Sequence, residues 1–199
     1  MSIYNQWGTP LQQLIRRTVF ISFAQADRVE VNAFVNRWTQ QEKVFIPKAV
    51  GVAFADDLIN SDNADYVIGR IRHDYLADST ITLVLLGGCT HSRRFVDWEL
   101  KASLQQGQNY KPNGLIGVLL PSVNASGVHL PPRFEVNWNR ENRNCYARYY
   151  FSPGSATELR GWLEDAFDAR TSRAVFIRNS VDMMKYNATC RVHNVTHPA

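Results

Sequence analysis

One carboxylate near the middle of the chain lacks a local partner. Glu99 lies in the segment Thr80 to Gln106, TITLVLLGGCTHSRRFVDWELKASLQQ. If that segment ends in a helix, the neighbours of Glu99 one turn away are Phe95, Val96, Ala102 and Ser103, and none is a cation. Asp97 has Arg93 four residues before it and Lys101 four after, the pattern of an exposed, charge-laced face. Glu99 therefore points away from that face. Helical side chains also lean towards the N-terminus, which brings this carboxylate back towards the polar turn Cys89-Thr90-His91-Ser92. An ionised carboxylate held there could stabilise positive charge that develops as a bond breaks. Arg93 and Arg94 open the same helix, where cations oppose the macrodipole and would be better placed beside a bound anion; pairing with Asp97 or with loop acids would serve them equally. A thiol at a helix start, as at Cys89, could be an activated nucleophile, but a small residue that permits close approach is the simpler reading.

The elements that must position these residues are legible as hydrophobic patterns. Ile81 to Leu86 is an unbroken apolar run closed by Gly87 and Gly88, the signature of a strand covered on both faces. The polar turn then falls at the strand's carboxyl end, where open α/β sheets bind ligands. Upstream, Val19 to Phe23 predicts the first strand. Asp27 and Glu30 start a helix whose apolar face is Val31, Phe34, Val35 and Trp38. Strand two is either Val44 to Ile46, ended by Pro47, or Val50 to Phe54. Ala55 to Ala64 is a polar loop, and Val67, Ile68, Ile71 and Tyr75 mark a second helix. Downstream, Asn113 to Pro121 gives another buried strand. Ser122 to Pro153 reads as a long loop with one edge strand at Ala147 to Phe151. Leu159, Trp162, Leu163, Ala166 and Phe167 form the stripe of a helix over Thr157 to Arg173. Met1 to Arg17 is expected to cap the fold, and the residues after Ile177, which have no period, to fray. This alternation predicts an α/β fold with a mostly parallel central sheet and helices on both faces. We expect one domain over residues 1–199, with a core at about 18–121 and a C-terminal elaboration at about 122–199.

Composition narrows the function. The chain has 199 residues, 45% of them apolar, and a net charge of +4, which suits an anionic small molecule; Lys and Arg are scattered, so nucleic acid is not an expected partner. No apolar run approaches the roughly 20 residues that span a bilayer, so no membrane is expected either. Three cysteines at wide spacing, Cys89, Cys145 and Cys190, make a disulfide framework unlikely and a cytoplasmic setting natural. There is no GxxxxGK[ST], GxGxxG, GxSxG or HExxH motif. Cys190, His193 and His197 have the spacing C-x2-H-x3-H and could supply three metal ligands. With no fourth ligand nearby in sequence, a polar tail with incidental histidines is the simpler reading, and no metal is assigned.

Two stretches, VFISFAQAD (Val19 to Asp27) and LLGGCTHSRRFVDWELKAS (Leu85 to Ser103), resemble the TIR-like domains of bacterial immunity, those of Thoeris antiphage defence among them. The resemblance implies a flavodoxin-like TIR fold and cleavage of NAD at the nicotinamide–ribose bond, with NAD as substrate and no separate cofactor. Glu99 stands in the place of the family's catalytic glutamate. Ser22 and Phe23 match the pocket-lining segment from strand one, and Cys89, Ser92, Arg93 and Trp98 are expected against the NAD. The resemblance further implies a cyclic ADP-ribose-type product, a separate effector protein activated by it, a phage-derived trigger and self-association. Two features depart from the pattern: Cys89 replaces the more usual serine or polar residue of the turn, and Ala55 to Ala64 is not a clear BB-loop. A non-catalytic TIR-like interaction module, and a nucleoside-sugar transferase using Glu99 as nucleophile, are the competing readings.

Overall fold

The computed structural model describes residues 15–48, 61, 63–108, 110–124, 127–138 and 144–198. All but the last three residues of the expected N-terminal cap, the Val50 to Phe54 version of strand two and most of the polar loop after it lie outside these residues. A five-stranded sheet contains β1 (Thr18–Phe23), β2 (Ile46–Lys48), β3 (Ile81–Leu86), β4 (Gly114–Leu119) and β5 (Arg148–Tyr150) in the order β2-β1-β3-β4-β5. Every pairing in it is parallel. This is the flavodoxin-like order, in which the direction of winding reverses between β1 and β3.

Each central strand is buried on both faces, and the alternation of side chains divides its residues between two layers. Val19 and Ile21 of β1, Ile81, Leu83 and Leu85 of β3, and Ile116 and Val118 of β4 pack against α1 (Arg28–Asn36) and α5 (Ala156–Ser172) through Phe34, Leu159, Leu163 and Ala166. On the opposite face Phe20, Val84, Leu86, Leu115 and Leu119 meet α2 (Ala64–Arg70), α3 (Arg94–Ser103) and the short α4 (Pro132–Glu135). Close approach between α5 and β4 requires Gly114, since any Cβ there would collide with the Ala166 carbonyl.

Two local expectations are corrected. β2 does not end at Pro47 but runs through it, with Pro47 paired to Val19, and Val44 and Phe45 are buried just before it. Proline is tolerated because, among the described residues, β2 lies at the edge of the sheet with no neighbour on its outer side. The chain after Ile177 was expected to fray, yet it is held to α3. Lys101 Nζ donates to the Val181 carbonyl at 3.3 Å, Trp98 Nε1 to that of Met184 at 2.8 Å and Arg94 Nη1 to that of Lys185 at 3.1 Å. In return the Asn187 Oδ1 accepts from the Arg94 backbone N–H at 2.9 Å, satisfying a donor at the start of α3. The segment then forms a two-stranded hairpin, β6 (Thr189–Cys190) and β7 (Val195–Thr196).

Asp97 is the centre of this attachment and departs most from its sequence-based reading. It is only 2% exposed, and Arg133 of α4, fully buried, binds it through two nitrogens at 2.9 and 3.3 Å. Asp97 also accepts from the Met184 backbone N–H at 2.9 Å. The remaining Arg133 donors go to the Asn179 side chain and to the carbonyls of Asn179 and Asp182. Arg93 and Lys101, the expected helical partners, bind tail carbonyls instead. Removing one member of such a pair leaves the other buried and uncompensated, at a cost of about 3–5 kcal/mol. Asp97→Ala is therefore expected to lower unfolding stability in urea by about that much, and the double substitution Asp97→Leu with Arg133→Met to recover most of the loss.

Candidate functional site

In doubly wound sheets the loops on either side of the reversal in strand order diverge and leave a crevice at the strands' carboxyl ends. Here that position lies between β1 and β3, and Glu99 reaches it. Its Oε2 accepts from the Ser22 hydroxyl at 2.5 Å, joining the carboxyl end of β1 to the second turn of the helix that follows β3. Ser22 is completely buried. Glu99 keeps some exposed surface as a residue, whereas its carboxyl group lies deep among protein atoms. That burial pushes its pKa up to about 8, against the smaller opposing pull of the Ser22 hydrogen bond. Local sequence neighbours gave Glu99 no cation, and none figures among the causes of its shift.

Ser22 and Phe23 do not share a face. Successive residues of a strand point to opposite sides, and Phe23 packs with the cluster formed by α1 and α5 while Ser22 turns to α3. Only Ser22 is brought to Glu99. Trp98 is 5% exposed and packs with Phe20, Val67 and Ile68, with its indole N–H on the Met184 carbonyl. Ser92 is buried, its hydroxyl donating to the Cys89 carbonyl at 2.9 Å and its own carbonyl accepting from Ala188 N–H at 2.9 Å. Arg93 donates to the Pro198 carbonyl at 3.2 Å. These three residues thus sit around the start of α3, where the C-terminal segment docks.

Thr90 and His91 of the polar turn gather further polar groups, and Asp27 among them was not expected there. Asp27, at the start of α1, approaches Thr90 Oγ1 at 3.4 Å, and its carboxylate lies so close over Gly87 that no Cβ could be accommodated there. Burial, followed by the charge of Glu30, holds its pKa above the usual carboxylate range. Its D-x-x-E position identified Asp27 as a helix start; that position alone carries no information about the turn after β3. His91 is buried beside His129, with ring centroids 5.1 Å apart, and accepts from the Arg191 backbone N–H at 3.0 Å. Desolvation, then the neighbouring His129, lowers its pKa to about 4, so it is neutral at physiological pH.

Cys89 is bonded to Cys190, 101 residues away, a single bridge that the reading against a disulfide framework did not foresee. An odd cysteine count excludes a complete framework but not a single bridge, and Cys145 remains a buried free thiol. Cys89 therefore meets the C-terminal hairpin. His193 and His197 approach it as well, so the fourth member missing from the C-x2-H-x3-H spacing is supplied by the turn after β3.

No helix among the described residues is long and apolar enough to cross a membrane. No curated protein matches the chain. A family model described as Thoeris protein ThsB, TIR-like domain, matches residues 20–125, a span that takes in Ser22, the turn after β3 and Glu99. That match covers more than half of the sequence, and its fold is the one found here: the chain belongs to the TIR-like domain family of the Thoeris protein ThsB, a family of antiphage defence.

Proposed function

We propose that this chain cleaves NAD at the nicotinamide–ribose bond, with Glu99 as the catalytic carboxylate, and releases a cyclic ADP-ribose-type signal that activates a separate effector during phage infection. The observation that supports this most is the buried Glu99 carboxyl group, bound by Ser22 at the β1/β3 reversal. Ordinary glycosidases need a second, protonated carboxyl group to help the leaving group depart. Nicotinamide in NAD is already cationic and leaves neutral, so one carboxylate suffices. It stabilises the oxocarbenium ion that develops at the ribosyl carbon and accepts hydrogen bonds from the ribose hydroxyls.

With its pKa near 8, Glu99 is mostly protonated at neutral pH in the free protein. A cationic nicotinamide beside it favours the ionised form, so substrate binding and deprotonation reinforce each other. Ser22 donates to that ionised form and orients it. Capture of the ribosyl carbon by water yields ADP-ribose; capture by an adenosine-side group within a closed pocket yields the cyclic product.

Glu99→Gln should reduce NAD consumption by at least about 100-fold while leaving the fold intact, as read by mass spectrometry of products with and without lysate from infected cells. Unchanged turnover in that variant sinks the proposal, and a wild-type chain inert under every activation yet forming specific complexes supports the interaction-module reading. For the active chain, kcat/KM should rise with pH and level off above about 8, as the free Glu99 ionises. Ser22→Ala removes the hydrogen bond that favours the ionised form, and should move that limb to higher pH.

The same group couples stability to pH. Because its folded pKa of about 8 exceeds the ordinary value of 4.5, the folded chain binds more protons than the unfolded chain between those two values. Its contribution to stability therefore falls as pH rises through that window. Glu99→Gln should be more stable than wild type at pH 8 and close to it at pH 4, a difference that urea unfolding at the two pH values would reveal.

A further inference from the structure

The turn after β3 and the end of the chain bring four metal-ligating side chains to one point. One ligand atom from each of Cys89, Cys190, His193 and His197 lies within 4.8 Å of all the others. His193 Nδ1 and His197 Nε2 each lie 3.1 Å from Cys89 Sγ, and His193 Nδ1 lies 3.9 Å from Cys190 Sγ. We propose that, when the two cysteines are reduced, these four side chains bind a single zinc ion in a closed, structural site.

The histidines carry the inference. A disulfide needs only its two sulfurs, and sulfur is a weak hydrogen-bond acceptor, so the bridge alone does not explain why two ring nitrogens converge on it. Zinc explains all four. With metal–sulfur bonds near 2.3 Å and metal–nitrogen bonds of about 2.0–2.1 Å, a tetrahedron has edges of about 3.3–3.8 Å. The three nitrogen–sulfur distances given above are within a few tenths of an ångström of that range; to reach a tetrahedron the sulfurs have to separate and the remaining pairs, all within 4.8 Å, to draw in where they exceed it. Cys190 and His193 are set by the β6–β7 hairpin, in which Asn194 takes a left-handed conformation (φ 54°) and donates to the Cys190 carbonyl at 2.7 Å. That tight turn presents both side chains to the same side. Asn and Asp tolerate such a conformation better than other non-glycine residues.

The ligand set selects the metal. Two thiolates with two imidazoles in tetrahedral array suit zinc, and four protein ligands leave no open position for substrate or water. Two thiolates also cancel the charge of the ion, so the filled site is neutral beside the basic Arg93 and Arg191. In the bonded state the sulfurs are oxidised and hold no metal. A phosphine reductant converts the bridge to two thiols and itself becomes the phosphine oxide, taking its oxygen from water. Zinc then displaces one proton from each thiol.

The test uses the full chain, reduced with a water-soluble phosphine, stripped with a chelator and titrated with zinc alone against a chromophoric competitor. We expect three titratable thiols in the stripped chain, one zinc bound per chain, and two of the thiols protected by it. Cobalt in place of zinc should give tetrahedral d–d bands with a thiolate charge-transfer band, bleached by added zinc. His193→Ala and His197→Ala leave both sulfurs in place. Each should weaken zinc binding by at least about tenfold, and together they should abolish it. Three free thiols with no zinc uptake, uptake indifferent to both histidines, or a bridge that resists reduction in the folded chain would each overturn the proposal. None of these readings depends on NAD turnover.

Discussion

The buried pair of Asp97 and Arg133 fixes how α3 is presented to the rest of the molecule. Asp97 and Glu99 are two residues apart on one helix, hence about 200° apart around its axis. Clamping Asp97 to α4 and to the Met184 N–H sets the rotation of α3, which aims Glu99 at Ser22 on β1. The clamp is costly to desolvate, but it is fully satisfied: both carboxylate oxygens are engaged, and the guanidinium donors continue to Asn179 and Asp182. A hydrophobic contact could supply comparable stability, but not the same angular definition, because it has no directional bonds.

That orientation decides the electrostatics of the site. Burial dominates at Glu99, and the Ser22 hydroxyl only partly offsets it. A carboxyl group so placed, with its pKa pushed up to about 8, is mostly protonated at neutral pH. A neutral ligand leaves it protonated, whereas a cationic one draws out the carboxylate and is held by it. On the proposed reading this favours a cationic glycoside, since no cation is among the causes of the Glu99 shift. A lysine or arginine beside Glu99 would keep it ionised at all times and remove that discrimination.

Much of this was legible in the sequence, for reasons that also explain the failures. The run Ile81 to Leu86 announced a doubly covered strand because both its faces are apolar, and Glu99 stood out because its helical neighbours offer no cation. The same local rule misread Asp97. Its partner Arg133 lies 36 residues away, and Arg93 and Lys101, which fit the i±4 pattern, are drawn to tail carbonyls. Ser22 and Phe23 were grouped as neighbours in sequence, although the alternation of a strand separates them. The tail after Ile177 showed no period because an apolar stripe is not what attaches it. Backbone carbonyls, the side chains of Asn179 and Asn187, and a cysteine–histidine cluster attach it instead, and only the C-x2-H-x3-H spacing hinted at this.

Polar contacts of that kind do not by themselves explain an ordered tail. Each typical hydrogen bond contributes about 1 kcal/mol net, whereas fixing each residue's backbone costs about 1–2 kcal/mol. A cross-link changes this balance. Cys89 and Cys190 close a loop of 101 residues. In the chain-entropy account, closing a loop of that size is worth on the order of 4–5 kcal/mol, because the unfolded chain no longer has to bring its distant ends together. Once the hairpin is tethered at the turn after β3, the contacts of Asn187, Met184 and Lys185 with α3 become local ones. The covalent or metal link at Cys89 and the ion pair at Asp97 therefore work in sequence: the first brings the tail to the start of α3, and the second locks it along the helix that carries Glu99.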